Sequence, residues 1–277
     1  MKQLFVLLAV IVASLHAQPA DARKSSPLRP DQIQISYVAP KNPEHQAVFE
    51  LLKERRVLER FKELLSPMRL PRPLRLKLEG CDGDSNAWFD GDTITVCYEY
   101  MDDVLKNAPK ETTAAGVTRS EAIVGPAVEV FLHEFGHAVF DYLKVPLMGR
   151  EEDAADMFAA YFLLRFAKPD ARALIIGAAY TYNVEASRPS TKKNPFADEH
   201  GLPAQRFYNI LCIAYGADPQ LFADAVEKGY LPKERAEGCE DEYAQVEAAM
   251  KRLILPYVDP ARAKAVRARR WLKFDGK

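Results

Sequence analysis

The sequence predicts an α+β fold, mostly helical, with a small antiparallel sheet packed on one long buried helix. Three observations point there. Strand-like alternation of apolar and polar residues is confined to about the first hundred positions, and helical periodicity fills the rest. Strands come first and helices after, without the regular strand–helix alternation of a doubly wound sheet. Apolar residues make up 48% of the 277-residue chain, enough for one sizeable core. No internal repeat is visible. The formal net charge of -1 lacks the basic bias of a nucleic-acid binder, so no nucleic-acid partner is expected.

The N-terminus reads as a signal peptide over residues 1–22. Lys2 supplies the positive start, and Leu4 to Leu15 is almost wholly apolar but too short to span a bilayer. Cleavage after Ala17 or after Ala22 fits the small residues there. No later stretch is apolar enough for a membrane span, so the expected location is periplasmic or secreted. Residues 23–31 form a polar, proline-containing linker, and 32–277 the main domain. That domain is mixed α and β to about 145 and helical beyond it.

Ile33, Ile35 and Tyr37 alternate with polar residues and predict a strand. Pro43 opens an amphipathic helix to about Leu65, which Pro67, Pro71 and Pro73 close. Leu74, Leu76 and Leu78 mark a second strand over 72–79. Asn86 to Cys97 reads as a third, with an Asp90-Gly91 turn that makes it a candidate hairpin. Glu99 to Asn107 looks helical, and Thr112 to Val117 is a loop. Thr118 and Glu121 have capping-box spacing and start a short helix. Gly125-Pro126 then breaks or kinks it, and a second helix runs from there to about Lys144. Val145 to Gly149 is a turn. Helices follow at about 150–167, 170–183, 202–215, 218–228, 240–254 and 260–272, with a polar loop over 186–199.

The four cysteines, Cys81, Cys97, Cys212 and Cys239, are even in number in a chain with an export signal, which suggests disulfides. Of the three possible pairings, Cys81–Cys97 and Cys212–Cys239 each close a short local loop and are favoured. No C-x-x-C spacing points to a thiolate metal site.

The chemistry-bearing stretch is His133-Glu134-Phe135-Gly136-His137. Residues four apart share a helix face, so both imidazoles reach one small volume. Its helix is apolar nearly all round, hence buried, and buried imidazoles need partners. A zinc ion satisfies both, keeps a position open for water and lowers that water's pKa to about 7. Glu134, one residue on, is placed to act as general base, so H-E-x-x-H is a physical design for metal-assisted hydrolysis.

A catalytic zinc usually takes three protein ligands. The next helix begins Glu151-Glu152-Asp153-Ala-Ala-Asp156, and Glu152 and Asp156 share one of its faces. Glu152 is the favoured third ligand, with Glu151 or His200 as competitors. Asp156 would accept an N–H from a ligating histidine and so fix its ring.

These residues resemble the thermolysin-type, or gluzincin, arrangement, in which H-E-x-x-H is followed by a helix carrying E-x-x-x-D. The resemblance implies a zincin-like fold, Glu152 as third ligand and Asp156 as support for a ligating histidine. Asn86-Ala87, followed by aromatics, Gly91 and Ile94, is similar to that clan's edge strand. By resemblance, Asn86 and Ala87 would hold the substrate main chain by strand addition. The gap from Asn86 to His133 is longer than in those enzymes, and the C-terminal half does not resemble theirs.

More closely, the chain resembles a family of metallopeptidases exported by bacteria, over about 35–250. Asn86-Ala-Trp-Phe, Ile94-Thr-Val-Cys-Tyr-Glu, the His133 motif, Glu152-Asp-Ala-Ala-Asp, Asp198-Glu-His and Gln205-Arg-Phe-Tyr-Asn carry that resemblance. His200, with Tyr208 as alternate, is the candidate to stabilise the oxyanion of a tetrahedral intermediate. Arg206 would make a structural ion pair. The expected function is a zinc-dependent peptidase with one catalytic Zn2+ and a peptide or protein substrate. The rival reading is a zinc-bearing binding module without catalysis, which would not require Glu134.

Overall fold

The computed structural model describes residues 33–190 and 194–269. The signal peptide and linker expected over 1–31 lie outside the described residues. Four strands form one sheet in the order β1-β2-β4-β3: β1 Ile33–Tyr37, β2 Leu74–Glu79, β3 Ala87–Asp90 and β4 Thr93–Cys97. The α+β class holds, but the sheet is mixed rather than antiparallel. β1 pairs parallel with β2 (Ile33 opposite Leu74) and β2 parallel with β4 (Leu76 opposite Ile94). Only β3 and β4 run antiparallel, as a hairpin turning at Asp90-Gly91. The cause is the connection. Helices α1 (Gln46–Glu54) and α2 (Val57–Leu65) carry the chain from β1 back to the starting edge of β2, and such crossovers make parallel neighbours. Both inner strands face the core, but β4 is buried at every position, whereas β2 alternates Leu74, Leu76 and Leu78 inward with Arg75 outward. β3 is left at the edge.

The single helix expected over 43–65 divides at Arg56, which takes a left-handed conformation with φ 53°. The Tyr37 hydroxyl stabilises the break: it accepts the Leu58 N–H at 2.8 Å and donates to Glu59 at 2.9 Å. One orphan amide of α2 is thereby satisfied from β1.

After α3 (Tyr98–Asn107) comes α4, Arg119–Leu143. Its N-terminus carries the expected capping box between Thr118 and Glu121. The expected break at Gly125-Pro126 is absent, and the helix is continuous through both residues. Gly125 serves a close helix crossing instead. A Cβ there would sit 2.7 Å from the backbone of Gly177 and Ala178 on α6 (Lys168–Ala186), and one on Gly177 would sit 1.9 Å from the Glu121 carbonyl oxygen. The two glycines let the backbones touch, and this packing keeps the proline-containing turn helical.

The sheet lies on α4, where Phe89 of β3 meets Tyr142 edge-on at 5.8 Å and Phe61 of α2 stacks on Phe131 at 4.0 Å. α5 (Glu151–Leu163) and α6 pack on α4, and α7 (Pro203–Ala217) packs on α6. The short α8 (Ala223–Glu227) and α9 (Lys233–Ala236) lead to α10 (Cys239–Leu253), which packs on α7, and to α11 (Pro260–Arg267). Disulfides join Cys81 to Cys97 and Cys212 to Cys239. The first ties the end of β2 to the end of β4, and the second ties α7 to α10. Among the described residues no helix is long and apolar enough to cross a membrane.

Candidate metal centre

His133 and His137 leave α4 one turn apart, with their Nε2 atoms 3.2 Å from each other. After α4 the chain turns at Lys144, again left-handed at φ 52°, and the short segment to Gly149 brings α5 against the same face. Glu152, in the first turn of α5, places Oε2 3.0 Å from His133 Nε2 and 3.4 Å from His137 Nε2. Three donor atoms thus form a triangle. A tetrahedral zinc with bonds of about 2.0–2.1 Å has ligand atoms about 3.3–3.4 Å apart. The residues present therefore fit such an ion, both in donor type and in spacing.

Each imidazole is braced through its other nitrogen. His133 Nδ1 lies 2.8 Å from Asp156 Oδ1, and His137 Nδ1 lies 2.9 Å from Glu151 Oε1. A proton held at Nδ1 by a carboxylate leaves the Nε2 lone pair directed at the triangle's centre. Asp156 is itself gripped by Arg206, which donates from Nε at 2.8 Å and Nη2 at 2.6 Å. The ion pair expected of Arg206 is therefore made with the carboxylate that orients His133. The Arg206 guanidinium also stacks over the Tyr182 ring at 4.4 Å.

The charges follow from this packing. Burial works against ionising Asp156, but Arg206 and His133 overcome it and hold the carboxyl well below the usual range. Burial likewise opposes charge on Glu152, and hydrogen bonds from His133, His137 and His200 pull it down. Burial lowers His133, yet Asp156 and Glu152 on either side raise it to about 10. Glu134 differs in outcome: burial is not overcome and its pKa is raised, and no hydrogen bond reaches its carboxylate among the described residues.

His200 also comes to the centre. Its Nε2 is 2.9 Å from Glu152 Oε2, its ring stacks on His133 at 5.9 Å, and Asp198 lies 3.4 Å from its Nδ1. Of the two competitors for third ligand, Glu151 is engaged at the back of His137, and His200 faces Glu152 rather than completing the triangle. Tyr208 is elsewhere: it is exposed and lines a separate hollow with Arg150 and Arg235.

Beside the triangle opens a cavity of about 110 Å³, lined in part by His133, Glu134 and His200. Asn86 and Ala87 stand at it, at the start of the edge strand β3. Asn86 is fixed locally, its Oδ1 accepting the Ala87 N–H at 2.9 Å and its carbonyl accepting the Cys97 N–H at 3.0 Å. Tyr100, Glu129, Tyr182, Glu185 and Arg206 also line it. The Tyr182 hydroxyl donates to Glu129 at 2.7 Å. None of Tyr100, Glu129, Tyr182 and Glu185 stands out from the sequence. Glu129 had a signal, since it precedes His133 by four and so shares the histidines' face. The others arrive from α3 and α6 by tertiary packing. Glu129, His133 and Asp156 are also close enough to group around a cation, but the Arg206 guanidinium already stands among them.

A family model described as "Putative metallopeptidase" matches residues 37–254. No curated protein and no solved structure matches the chain. The matched span contains every residue of the donor triangle, its braces and the cavity, and by it this chain belongs to the putative metallopeptidase family.

Proposed function

We propose that the protein is an exported zinc-dependent peptidase. The donor triangle of His133 Nε2, His137 Nε2 and Glu152 Oε2 carries the reading, because two imidazoles and one carboxylate at tetrahedral spacing suit a zinc ion with a position left open. A bound zinc supplies a Lewis acid that polarises the scissile carbonyl and acidifies a water. The protein's own groups do the rest. Glu134 takes the proton of the attacking water and returns it to the leaving amine. Burial raises its pKa, in the direction that suits a group that first accepts and then donates a proton. Asp156, locked by Arg206, orients His133, and Glu151 orients His137. His200, whose Nε2 lies 2.9 Å from Glu152 Oε2, would turn its Nε2–H from that carboxylate to the oxyanion that forms as water adds, once Glu152 holds the metal. Asn86 and Ala87 begin an edge strand whose outer side is free within the sheet, and an extended peptide would add there with its scissile bond over Glu134.

Two disulfides and the absence of a membrane-crossing helix among the described residues support a periplasmic or secreted protein. The test is Glu134→Gln in zinc-loaded protein, assayed on a peptide library with elemental analysis alongside. The variant is expected to keep its zinc and lose activity by about 10²–10⁴-fold. Undiminished cleavage by that variant, or a wild-type protein that binds zinc and leaves every peptide intact, sinks the reading.

A further inference from the structure

We propose that the cavity beside the metal centre is a specificity pocket for a basic side chain, with Glu185 and Glu129 as the groups that select it. The inference rests on the peptidase reading, since it names the substrate class of that same site. Position comes first. His133 and Glu134 form one wall of the cavity, and Asn86 and Ala87 of the edge strand stand at it. A side chain entering it therefore belongs to a residue next to the scissile bond.

Chemistry comes second. A pocket for an apolar side chain is lined by apolar groups with few polar ones. Here α4 contributes Glu129, α6 contributes Thr181, Tyr182 and Glu185, and α3 contributes Tyr100. Glu129 has one donor, the Tyr182 hydroxyl. Glu185 receives no hydrogen bond among the described residues, and burial raises its pKa and that of Glu129. The cations that act on these carboxyls are engaged elsewhere. Arg206 spends Nε and Nη2 on Asp156, and Arg188 donates to Asn107. His200 faces Glu152. Arg206 also lines the cavity, but its charge is matched by Asp156, so Glu129 and Glu185 remain short of donors and of balancing positive charge. A lysine or arginine side chain supplies both. A neutral side chain leaves the Glu185 carboxyl without a partner and Glu129 with the Tyr182 hydroxyl alone, and an acidic one adds repulsion, so discrimination works by penalty as well as by contact.

The experiment uses the full zinc-loaded protein and end-blocked peptides that differ at one residue: lysine, arginine, norleucine or glutamate. Wild-type protein is expected to cleave beside lysine or arginine, always on the same side of that residue. Glu185→Gln is expected to lower the lysine-to-norleucine ratio of kcat/KM by roughly tenfold or more. Glu185→Arg is expected to turn the preference towards glutamate. Binding is read separately in zinc-loaded Glu134→Gln, where lysine peptides should bind tighter than norleucine peptides, and the advantage should vanish on adding Glu185→Gln. A lysine-to-norleucine ratio unmoved by both Glu185 variants, in cleavage and in binding, overturns the pocket while leaving the peptidase intact. Lysine-selective binding without any cleavage by the wild type overturns the peptidase and keeps the pocket.

Discussion

Among the described residues, metal-ligating residue types come together in two separate regions, one around His133 and one at the end of the sheet, and the two are built in opposite ways. One is His133, His137 and Glu152 between α4 and α5. The other is Cys81, Cys97 and Glu99 at the end of the sheet, with buried His45 beside it. At the second place the sulfurs and the Glu99 carboxylate are already committed. The two sulfurs are bonded to each other. The Glu99 carboxylate accepts the Cys81 N–H at 2.9 and 3.0 Å and the Gly83 N–H at 3.0 Å. His45 Nδ1 stays 3.9 Å from it. At the first place the carboxylates behind the rings, Asp156 and Glu151, hold protons on Nδ1 and turn the Nε2 lone pairs inward. Closeness of ligating residues does not make a centre. The direction of lone pairs left unspent does.

The largest expected effect tests that contrast directly. Zinc at about a thousand times its Kd should raise the unfolding free energy by ~4 kcal/mol, and a chelator should reverse it. His137→Ala should abolish the increment. The double change Cys81→Ser with Cys97→Ser should cost ~3 kcal/mol, as expected for opening a loop of this length, yet retain the full increment. Denaturant unfolding with and without zinc reads all of these. Loss of the increment in the cysteine variant would make the two clusters one system.

The next effect separates the ring's orientation from its ligation. Asp156→Asn removes the charge that holds the His133 proton and leaves Arg206 facing a neutral amide. Zinc affinity, read by chelator competition, should fall about 10–100-fold. A variant that binds zinc as tightly as wild type would show that His133 needs no brace.

Glu99→Gln belongs to the other cluster and should act on stability alone, by ~1–2 kcal/mol, because hydrogen bonds to a charged acceptor become bonds to a neutral one. Its pH dependence has a definite sign. Burial alone would raise the Glu99 pKa, but the amides of Gly83 and Cys81 more than offset it, so the folded value lies below the ordinary one. The contribution is therefore complete above the unfolded glutamate range and is lost as pH falls through the lowered folded value. Wild type and Glu99→Gln should converge in stability on acidification, while zinc affinity at neutral pH stays equal. A gap that widens in acid would mean that the cradle does not favour the carboxylate.

What was legible in the sequence had short range. His133 and His137 are one turn apart, Glu152 and Asp156 are one turn apart, and a short turn joins their helices, so the triangle and the His133 brace could be drawn from spacing. The same holds for the capping box at Thr118 and for both disulfides. What was illegible depends on contacts far apart in sequence. Gly125-Pro126 looks like a break until Gly177 arrives against it. Arg206 grips Asp156 across 50 residues, and Tyr182 reaches Glu129 across 53. The parallel pairing of β1 and β2 stood between these cases. A strand, a long helical stretch and a second strand imply a crossover, and alternation within each strand says nothing about direction.

The smallest effect compares the two braces with each other. Glu151 lies at the back of His137 as Asp156 lies at the back of His133, but the Glu151 side chain is 53% exposed and that of Asp156 only 13%. Water screens the first pair and can replace it, and among the described residues no arginine fixes Glu151 as Arg206 fixes Asp156. Glu151→Gln also keeps an oxygen able to accept the His137 N–H. It should therefore lower zinc affinity by about threefold or less, well short of the loss at Asp156. Raised salt should shrink the Glu151→Gln effect and leave that of Asp156→Asn unchanged. Equal losses in the two variants, or equal salt sensitivity, would show that burial does not rank the braces and that the centre is held symmetrically by both.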